Sequence, residues 1–316
     1  MTGRRPQALK PGSFFATLKQ RVPELFELAE LELELFSNLD SCEMQPEAWT
    51  DLARLLFKRL PGFDGAVVTH GTDTLAYTAS ALSFLLPGLD RPVVLTGAQR
   101  PLREVRSDAR LNLIDAVTSS LKGPREVTVC FDSHLYRGNR VRKASVNAFD
   151  AFDSPNAPPL GILGVDARFE KGRTPKGRPR LEPGLEPRVL LLKVYPGLDP
   201  APFTALLPRF EGVVLEAYGS GTFPVSPAFG RSLEPFLKAA RARQVPVLVV
   251  SQAPRDGVDL SLYEAGQRAL DHGGISGGDL TVPAAVTKLM HGLAIHKKGS
   301  ALRAYLERDI AGERTP

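Results

Sequence analysis

Short apolar runs of strand length alternate with helical patterns along most of this chain. The runs lie at residues 66–69, 92–96, 126–131, 188–194, 212–217 and 245–250. Strands that alternate with helices pair in parallel, and the helices then cover both faces of the sheet. The sequence therefore predicts an α/β fold of two doubly wound, mainly parallel domains, with the larger domain at the N-terminus.

The composition changes at one place in a way that suggests a domain boundary. Residues 167–186 are rich in glycine, proline and charge, which is typical of a linker. We therefore predict an N-terminal domain at 1–166, carrying most of the site, and a C-terminal domain at 187–316. Within the first domain the alternating residues 31–36 predict a half-buried strand, and the polar residues 1–12 predict a loop.

Charge and composition limit the kinds of partner. The net charge is +5, but the densest basic stretch, at 171–180, contains no aromatic residue, so we expect no nucleic-acid surface. No apolar run is long enough to span a bilayer and the start is polar, so we expect a cytoplasmic protein without a membrane segment. Two distant cysteines, Cys42 and Cys130, fit a reducing compartment. The five histidines are dispersed without ligand spacing, so we expect no bound metal.

Polar residues gather where the predicted strand 66–69 ends. The run HGTDT at 70–74 places two threonine hydroxyls around one carboxylate, just before an apolar helical pattern. In open α/β sheets, ligands bind at this carboxyl edge of the strands. Ordinary helix capping is the alternative, because Thr72, Asp73 and Thr74 are all good first-turn residues.

The ends of the other predicted strands bring further polar groups to the same edge. Parallel strands end on one side of the sheet, so residues that follow different strands become neighbours. The edge is predicted to gather Asp40, Ser41, Thr72, Asp73, Ala98, Gln99 and, a little later, Lys143.

These residue types are suited to acyl transfer. A lysine amine can activate a hydroxyl nucleophile when burial lowers its pKa, and a carboxylate can orient that amine. Thr72, Lys143 and Asp73 supply the three parts. Backbone N–H groups after Gly71 or Gly97 can hold an oxyanion. The predicted reaction is hydrolysis of an amide or an ester.

Two residues also have simpler interpretations. Lys143 stands beside Arg140 and Arg142, as an ordinary surface lysine would. Cys42 has the chemistry of a thiol nucleophile, but no histidine is near it in sequence and a small buried cysteine is commoner.

Several motifs along the chain form a recognisable set. They are NLDS at 38–41, HGTDT at 70–74, LTGAQRP at 95–101, SD at 107–108, RGNRVRK at 137–143, FDAFDSPN at 149–156 and, less sharply, GGISGGDLT at 273–281. The set resembles the bacterial L-asparaginase family, and most closely its cytoplasmic type I branch. The resemblance covers nearly the whole chain from about residue 30 onward.

The resemblance implies an activity and an assembly. Family members hydrolyse L-asparagine to L-aspartate and ammonia through an acyl-enzyme on threonine and without a cofactor. They are homo-oligomers, usually homodimers or homotetramers, whose sites are completed across a subunit contact. By position, Thr72, Asp73 and Lys143 correspond to the Thr–Asp–Lys centre of the family.

The resemblance also implies substrate contacts. Asp40 and Ser41 correspond to residues that hold the α-amino and α-carboxylate groups of the substrate, and Ala98 to a backbone contact. Asp73 would pair with the substrate ammonium as well as lie near Lys143. Glutamine would be a weaker substrate.

The N-terminal part departs from the family pattern. The family opens with a strand ending in Gly-Gly-Thr-Ile, whose threonine is the usual nucleophile, and its mobile loop carries a tyrosine; this sequence has neither, and no tyrosine precedes Tyr77. Thr222 stands where a Gly-x-Gly-Asn turn is usual. Omitting an inner strand exposes unpaired strand edges. We therefore expect the natural protein to begin about ten residues upstream, with that strand; an intact mass from the native source tests this.

Two other functions follow from these departures. One is a relative that binds asparagine or aspartate without turnover, because the usual nucleophile and tyrosine are missing. The other is the asparaginase-like subunit of a tRNA-dependent amidotransferase, although such subunits carry an additional N-terminal domain that this sequence does not display.

Overall fold

Each half of the chain builds its own β-sheet, and helices pack on both sheets. The structure, a computed structural model, describes residues 11–175, 177–296 and 298–315. The first half forms a six-stranded sheet and the second half a four-stranded sheet. The predicted α/β fold with parallel strands in two domains is confirmed.

The three strands nearest the predicted site run parallel in the first sheet. They are β1 (Ala66–Thr69), β2 (Val93–Thr96) and β3 (Val127–Phe131). Val68 pairs with Leu95, and Leu95 pairs with Val129, so the strands are in step across the sheet. Their carboxyl ends therefore lie side by side, as the sequence predicts.

The rest of the first half adds short strands that the sequence patterns do not reveal. These are β4 (His134–Arg137), β5 (Arg142–Lys143), β6 (Phe152–Asp153), β7 (Gly161–Leu163) and β8 (Ala167–Phe169). β4, β7 and β8 extend the sheet antiparallel, whereas β5 and β6 form a separate ribbon. β8 also falls at the start of the predicted linker 167–186, so those three residues belong to the first sheet. Runs of two to four residues are too short to show a period.

Five helices accompany the first sheet in the described chain. They are α1 (Pro11–Arg21), α2 (Glu24–Leu28), α3 (Pro46–Arg59), α4 (Leu75–Leu85) and α5 (Ala109–Lys122). Val22 and Pro23 separate α1 from α2. The predicted loop at 1–12 lies outside the described residues, except for its last two positions, which begin α1. α4 is buried along nearly its whole length and lies in the core of the domain.

The second half alternates strand and helix as predicted. Its strands are β9 (Val189–Lys193), β10 (Gly212–Ala217), β11 (Val247–Ser251) and β12 (Ile275–Ser276), all parallel. Its helices are α6 (Ala201–Leu206), α7 (Glu234–Ala242), α8 (Glu264–Asp271), α9 (Val282–Ile295) and α10 (Ser300–Glu307). α9 packs against α4 of the first domain, where the rings of His291 and Phe84 stack with centroids 6.2 Å apart. The two domains therefore share an apolar contact.

The prediction of a strand at residues 31–36 is wrong. The segment pairs with no strand in the described chain, and Leu33, Leu35 and Phe36 are 41%, 44% and 37% exposed. An alternating segment becomes a strand only when a neighbour completes its backbone hydrogen bonds. β1 ends the sheet and pairs with β2 alone among the described strands. The segment is instead held through its acidic side chains, as Arg59 bonds Glu32 and lies 3.4 Å from Glu34.

Candidate active site

The ends of β1 and β2 meet closely at the carboxyl edge of the first sheet. The backbone N–H of His70 donates to the Thr96 carbonyl over 2.8 Å. A Cβ on Gly97 would lie 2.3 Å from the His70 carbonyl oxygen, nearer than any side chain allows. Glycine at position 97 therefore permits the approach that brings the two strand ends together.

The predicted Thr–Asp–Lys residues are in direct contact at this edge. The Nζ of Lys143, which ends β5, lies 2.8 Å from Thr72 Oγ1 and 2.6 Å from Asp73 Oδ1. The lysine side chain is 19% exposed, whereas that of Asp73 is 62% exposed. The lysine side chain is therefore largely sheltered, and the carboxylate is open to solvent. The interpretation of Lys143 as an ordinary surface lysine does not describe this environment.

Gln99 connects the same hydroxyl to the chain beyond β5. Thr72 Oγ1 donates to Gln99 Oε1 over 3.3 Å, and Gln99 Nε2 donates to the Ala148 carbonyl over 3.0 Å. The Gln99 backbone N–H donates to Asp108 Oδ2 over 2.9 Å, which fixes the loop after β2. The preceding residue, Ala98, is half-buried in that loop. The loop thus serves as one wall of the cluster.

Asp40 and Ser41 lie on a short turn against the same cluster. The Ser41 carbonyl accepts the Thr74 hydroxyl over 2.6 Å, and a Cβ on Gly71 would lie 2.6 Å from Ser41 Oγ. Asp40 is exposed and accepts the Cys42 N–H over 3.2 Å. The structure therefore brings this turn to the residues 70–74, although no strand precedes it.

These contacts argue against helix capping as the role of the polar residues 72–74. The residue before α4 is Thr74, and no side-chain hydrogen bond caps the helix there. The hydroxyl of Thr74 binds Ser41, and the side chains of Thr72 and Asp73 bind Lys143. The polar groups of this run therefore point at the cluster and not along the helix.

A chain of hydrogen bonds, which starts at the buried pair Trp49 and Thr78, supports His70 and the residues that follow it. His70 Nδ1 lies 2.6 Å from the Gly71 carbonyl, and His70 Nε2 lies 2.9 Å from Thr78 Oγ1, which also accepts from Trp49 Nε1 over 2.9 Å. A carbonyl only accepts, so the proton sits on Nδ1 and Nε2 accepts the hydroxyl proton. Burial lowers the pKa of His70, which favours the neutral ring that this pattern requires. No sequence spacing points to these partners.

Cys42 differs from the interpretation as a small buried cysteine. It is exposed, on the turn that carries Asp40, whereas Cys130 is buried in β3. Both cysteines are free.

Neither a metal cluster nor a membrane-spanning helix is found in the part of the chain that the structure describes. That part holds no group of three or more histidine, cysteine, aspartate or glutamate side chains that could bind a metal ion. None of its helices is both long and apolar enough to cross a membrane.

The fold and the site define a two-domain α/β protein with a hydroxyl–amine–carboxylate cluster at the carboxyl edge of a parallel sheet. Residues 2–175 match the family model "Asparaginase, N-terminal", and residues 188–306 match the "Glutaminase/Asparaginase C-terminal domain". The chain belongs to the asparaginase family, as the motif resemblance predicts.

Relatives of known function agree with this assignment. The chain is 41% identical to L-asparaginase of Thermococcus kodakarensis, with 91% of this chain and 87% of the relative covered. It is 38% identical to L-asparaginase 1 of Escherichia coli K12, with 88% and 82% covered. It is also 37% identical to a glutamyl-tRNA(Gln) amidotransferase subunit of Aeropyrum pernix, with 97% and 74% covered.

Solved structures show the same fold. The T. kodakarensis L-asparaginase matches with a TM-score of 0.87 at 40% identity, covering 91% of this chain and 87% of that one. L-asparaginase I of Vibrio cholerae matches with a TM-score of 0.88 at 33% identity, covering 98% and 94%. A probable cytoplasmic L-asparaginase of Campylobacter jejuni matches with a TM-score of 0.77 at 27% identity, covering 92% and 93%.

Proposed function

We propose that this protein hydrolyses the side-chain amide of L-asparagine to L-aspartate and ammonia. The observation that carries the proposal is the contact of Lys143 Nζ with Thr72 Oγ1, 2.8 Å, and with Asp73 Oδ1, 2.6 Å. The similarity to L-asparaginases over about nine-tenths of the chain supports the choice of substrate.

In the proposed reaction Thr72 is the nucleophile and Lys143 is the base. The Thr72 hydroxyl turns its proton from Gln99 Oε1 towards Lys143 Nζ, and Lys143 in its neutral form takes this proton as the oxygen attacks the amide carbon. The proton then passes to the leaving nitrogen, so ammonia departs and an acyl ester on Thr72 remains. Water attacks this ester, aspartate leaves, and the proton returns to Thr72. Asp73 orients the amine through its hydrogen bond.

The surrounding groups are suited to holding the amino acid. The exposed carboxylate of Asp73 is placed to pair with the substrate ammonium, together with Asp40 on the neighbouring turn. Ser41 would hold the α-carboxylate, and the backbone at Ala98 would contact the substrate from the loop after β2. These groups suit a free amino acid better than a peptide, because only a free amino acid carries an ammonium and a carboxylate on the same α-carbon.

Ammonia release from L-asparagine tests the proposal directly. The chain should release ammonia, Thr72→Ala should abolish it, and Thr72→Ser should retain part of it because the hydroxyl remains. L-Glutamine, assayed in parallel, is expected to be the poorer substrate. Turnover that survives in Thr72→Ala would show that Thr72 is not the nucleophile.

An inert wild-type chain would leave three explanations, which separate experiments distinguish. Calorimetry with L-asparagine and L-aspartate then detects a protein that binds without turnover. The same ammonia assay on a chain extended by upstream in-frame codons detects a nucleophile supplied from there. Glutaminase activity that depends on a glutamyl-tRNA partner would instead match the A. pernix relative.

Self-association and location are part of the same proposal. We expect a homodimer or homotetramer in solution, which light scattering after size exclusion would measure. We also expect a cytoplasmic location, by analogy with the C. jejuni protein, whose description names a cytoplasmic L-asparaginase.

A further inference from the structure

The last part of the described chain lies between the two domains. Residues 309–315, which we call the C-terminal segment, contain Glu313, whose side chain is fully buried. Glu313 Oε1 lies 2.6 Å from Nζ of the equally buried Lys288 in α9. The carboxylate also accepts the backbone N–H groups of Ile310 and Ala311 over 3.0 and 2.7 Å. Lys288 of the second domain therefore holds the Glu313 carboxylate, and this carboxylate fixes the backbone of the segment.

The first domain binds the other side of the C-terminal segment. Asn139 Nδ2 donates to the Ala311 carbonyl over 3.0 Å, and Arg140 Nε donates to the Gly312 carbonyl over 2.7 Å. Asn139 is fully buried and Arg140 is 5% exposed. A buried donor without a partner is costly, because it has given up its hydrogen bonds to water and gained none in the protein.

Arg140 also forms an ion pair with Asp279 of the second domain. Arg140 Nη1 lies 2.6 Å from Asp279 Oδ2, and Asp279 also accepts the Thr315 N–H over 2.9 Å and the Thr315 hydroxyl over 2.6 Å. Burial acts to raise the pKa of Asp279, but the hydrogen bonds from Thr315 and Arg140 lower it overall. Asp279 therefore remains a charged partner for Arg140.

Arg140 stands three residues before Lys143, on the connection that leads into β5. Between them Val141 is fully buried in the core of the first domain. β5 has two residues and pairs only with β6 among the described strands. A strand this short does not fix its own direction, so the residues that precede it in the chain must do so.

We infer that Asn139 and Arg140 are positioning residues for the proposed reaction. The C-terminal segment and Asp279 clamp them, and the clamp sets the path of β5 so that Lys143 Nζ reaches Thr72. The inference rests on the proposed function for the catalytic role of the Lys143–Thr72 contact, whereas the contact itself is an observed distance. Misplacing a catalytic group by about 1 Å costs roughly a hundredfold in rate.

The test compares three variants of the full chain. Arg140→Gln removes the charge and the guanidinium donors, Arg140→Lys keeps the charge, and Thr315→Val removes the hydroxyl that donates to Asp279. Arg140→Gln should lower kcat roughly ten- to a hundredfold, with KM changed less than about threefold. Arg140→Lys should recover part of the loss. Thr315→Val, at an exposed position, should fold and show a smaller change in the same direction.

A second measurement reports on Lys143 without any turnover. Trace acetylation, read by mass spectrometry across a pH series, gives the reactivity of each lysine amine. Lys238, whose side chain is 61% exposed, serves as an internal reference. In Arg140→Gln the labelling profile of Lys143 should move towards that of Lys238. An unchanged Lys143 profile in Arg140→Gln and Thr315→Val would overturn the inference.

Arg303→Gln is the matched control for a general loss of stability. Arg303 also donates to backbone carbonyls, those of Gly273 and Gly274, both over 2.9 Å, but it lies within the second domain. It should lower the melting temperature without changing Lys143 labelling, and an equal change in labelling would overturn the inference. If wild-type protein releases no ammonia, the proposed function fails, whereas the labelling result still decides whether the clamp places Lys143.

Discussion

Lys143 Nζ and Thr72 Oγ1 lie 2.8 Å apart although the two residues are 71 positions apart in the chain. Thr72 follows β1, whereas Lys143 ends β5, which belongs to a separate two-stranded ribbon. Two independent elements must therefore be placed relative to each other to make this contact. Asp73 adds a carboxylate on the same amine, so two adjacent side chains bind the lysine.

Substitution of Lys143 separates its role as a base from its role in holding Thr72. Lys143→Arg keeps the positive charge and donors, but a guanidinium does not give up a proton in proteins. It should lower kcat roughly a hundred- to ten-thousandfold, as expected for loss of a general base. Lys143→Met should be at least as damaging, because it also removes the charge. Steady-state ammonia release measures both variants.

Lys238→Met is the control for this pair. Lys238 is an exposed lysine that also meets a carboxylate, Glu234, at 3.0 Å. Its loss should leave kcat unchanged, because Lys238 lies outside the cluster and surface ion pairs contribute little to the stability of the fold. Activity of Lys143→Arg close to wild type would remove Lys143 from the role of base.

Much of the frame of this site could be predicted from the sequence. The runs that became β1, β2 and β3 are apolar and end in polar or glycine residues, so both the strands and their common edge are visible in the pattern. Thr72 and Asp73 follow from that edge. Lys143 follows from its position after the third strand run and from its amine, and the motif resemblance gives it the same role, whereas β5 is too short for any period to predict it.

Other parts of the site depend on contacts that no local pattern carries. Trp49 and Thr78 are 29 positions apart, yet their hydrogen bond supports His70. Residues 31–36 have the alternation of a strand but no paired neighbour among the described strands. Local pattern gives the preference of a segment, whereas pairing depends on what lies beside it.

Gln99 should matter for rate through both ends of its amide. Gln99→Leu removes the acceptor for the Thr72 hydroxyl and the donor to the Ala148 carbonyl. We expect kcat to fall about tenfold or more, because an unheld hydroxyl and a loosened loop both reduce the reactive geometry. Gln99→Glu keeps the acceptor and loses the donor, so it should fall between wild type and Gln99→Leu. Equal kcat for all three would show that Gln99 only fills space.

Gly97 should tolerate no side chain. In Gly97→Ala the new Cβ would lie 2.3 Å from the His70 backbone oxygen, so the ends of β1 and β2 must separate. The free energy of unfolding should fall by about 1–3 kcal/mol, as for other overpacked sites, and ammonia release should fall with it. Gly62→Ala is the matched control, because no described residue beyond its neighbours in the chain lies within 4 Å of its Cβ position. Urea denaturation compares the two, and equal stability would contradict the steric argument.

Asp115 on α5 should make stability depend on pH in the opposite sense to most carboxylates. Burial raises its pKa from 3.8 to about 6, against a hydrogen bond from Ser133 that lowers it. The folded protein therefore binds this proton more tightly than the unfolded chain does, and its contribution to stability is lost as pH rises from 3.8 through about 6. Asp115→Asn is neutral throughout and can still accept from Ser133. Its melting temperature relative to wild type should be higher at about pH 7.5 than at about pH 4.5, whereas Asp166→Asn, at an exposed turn, should show no such change. A difference independent of pH would mean that Asp115 does not take up this proton on folding.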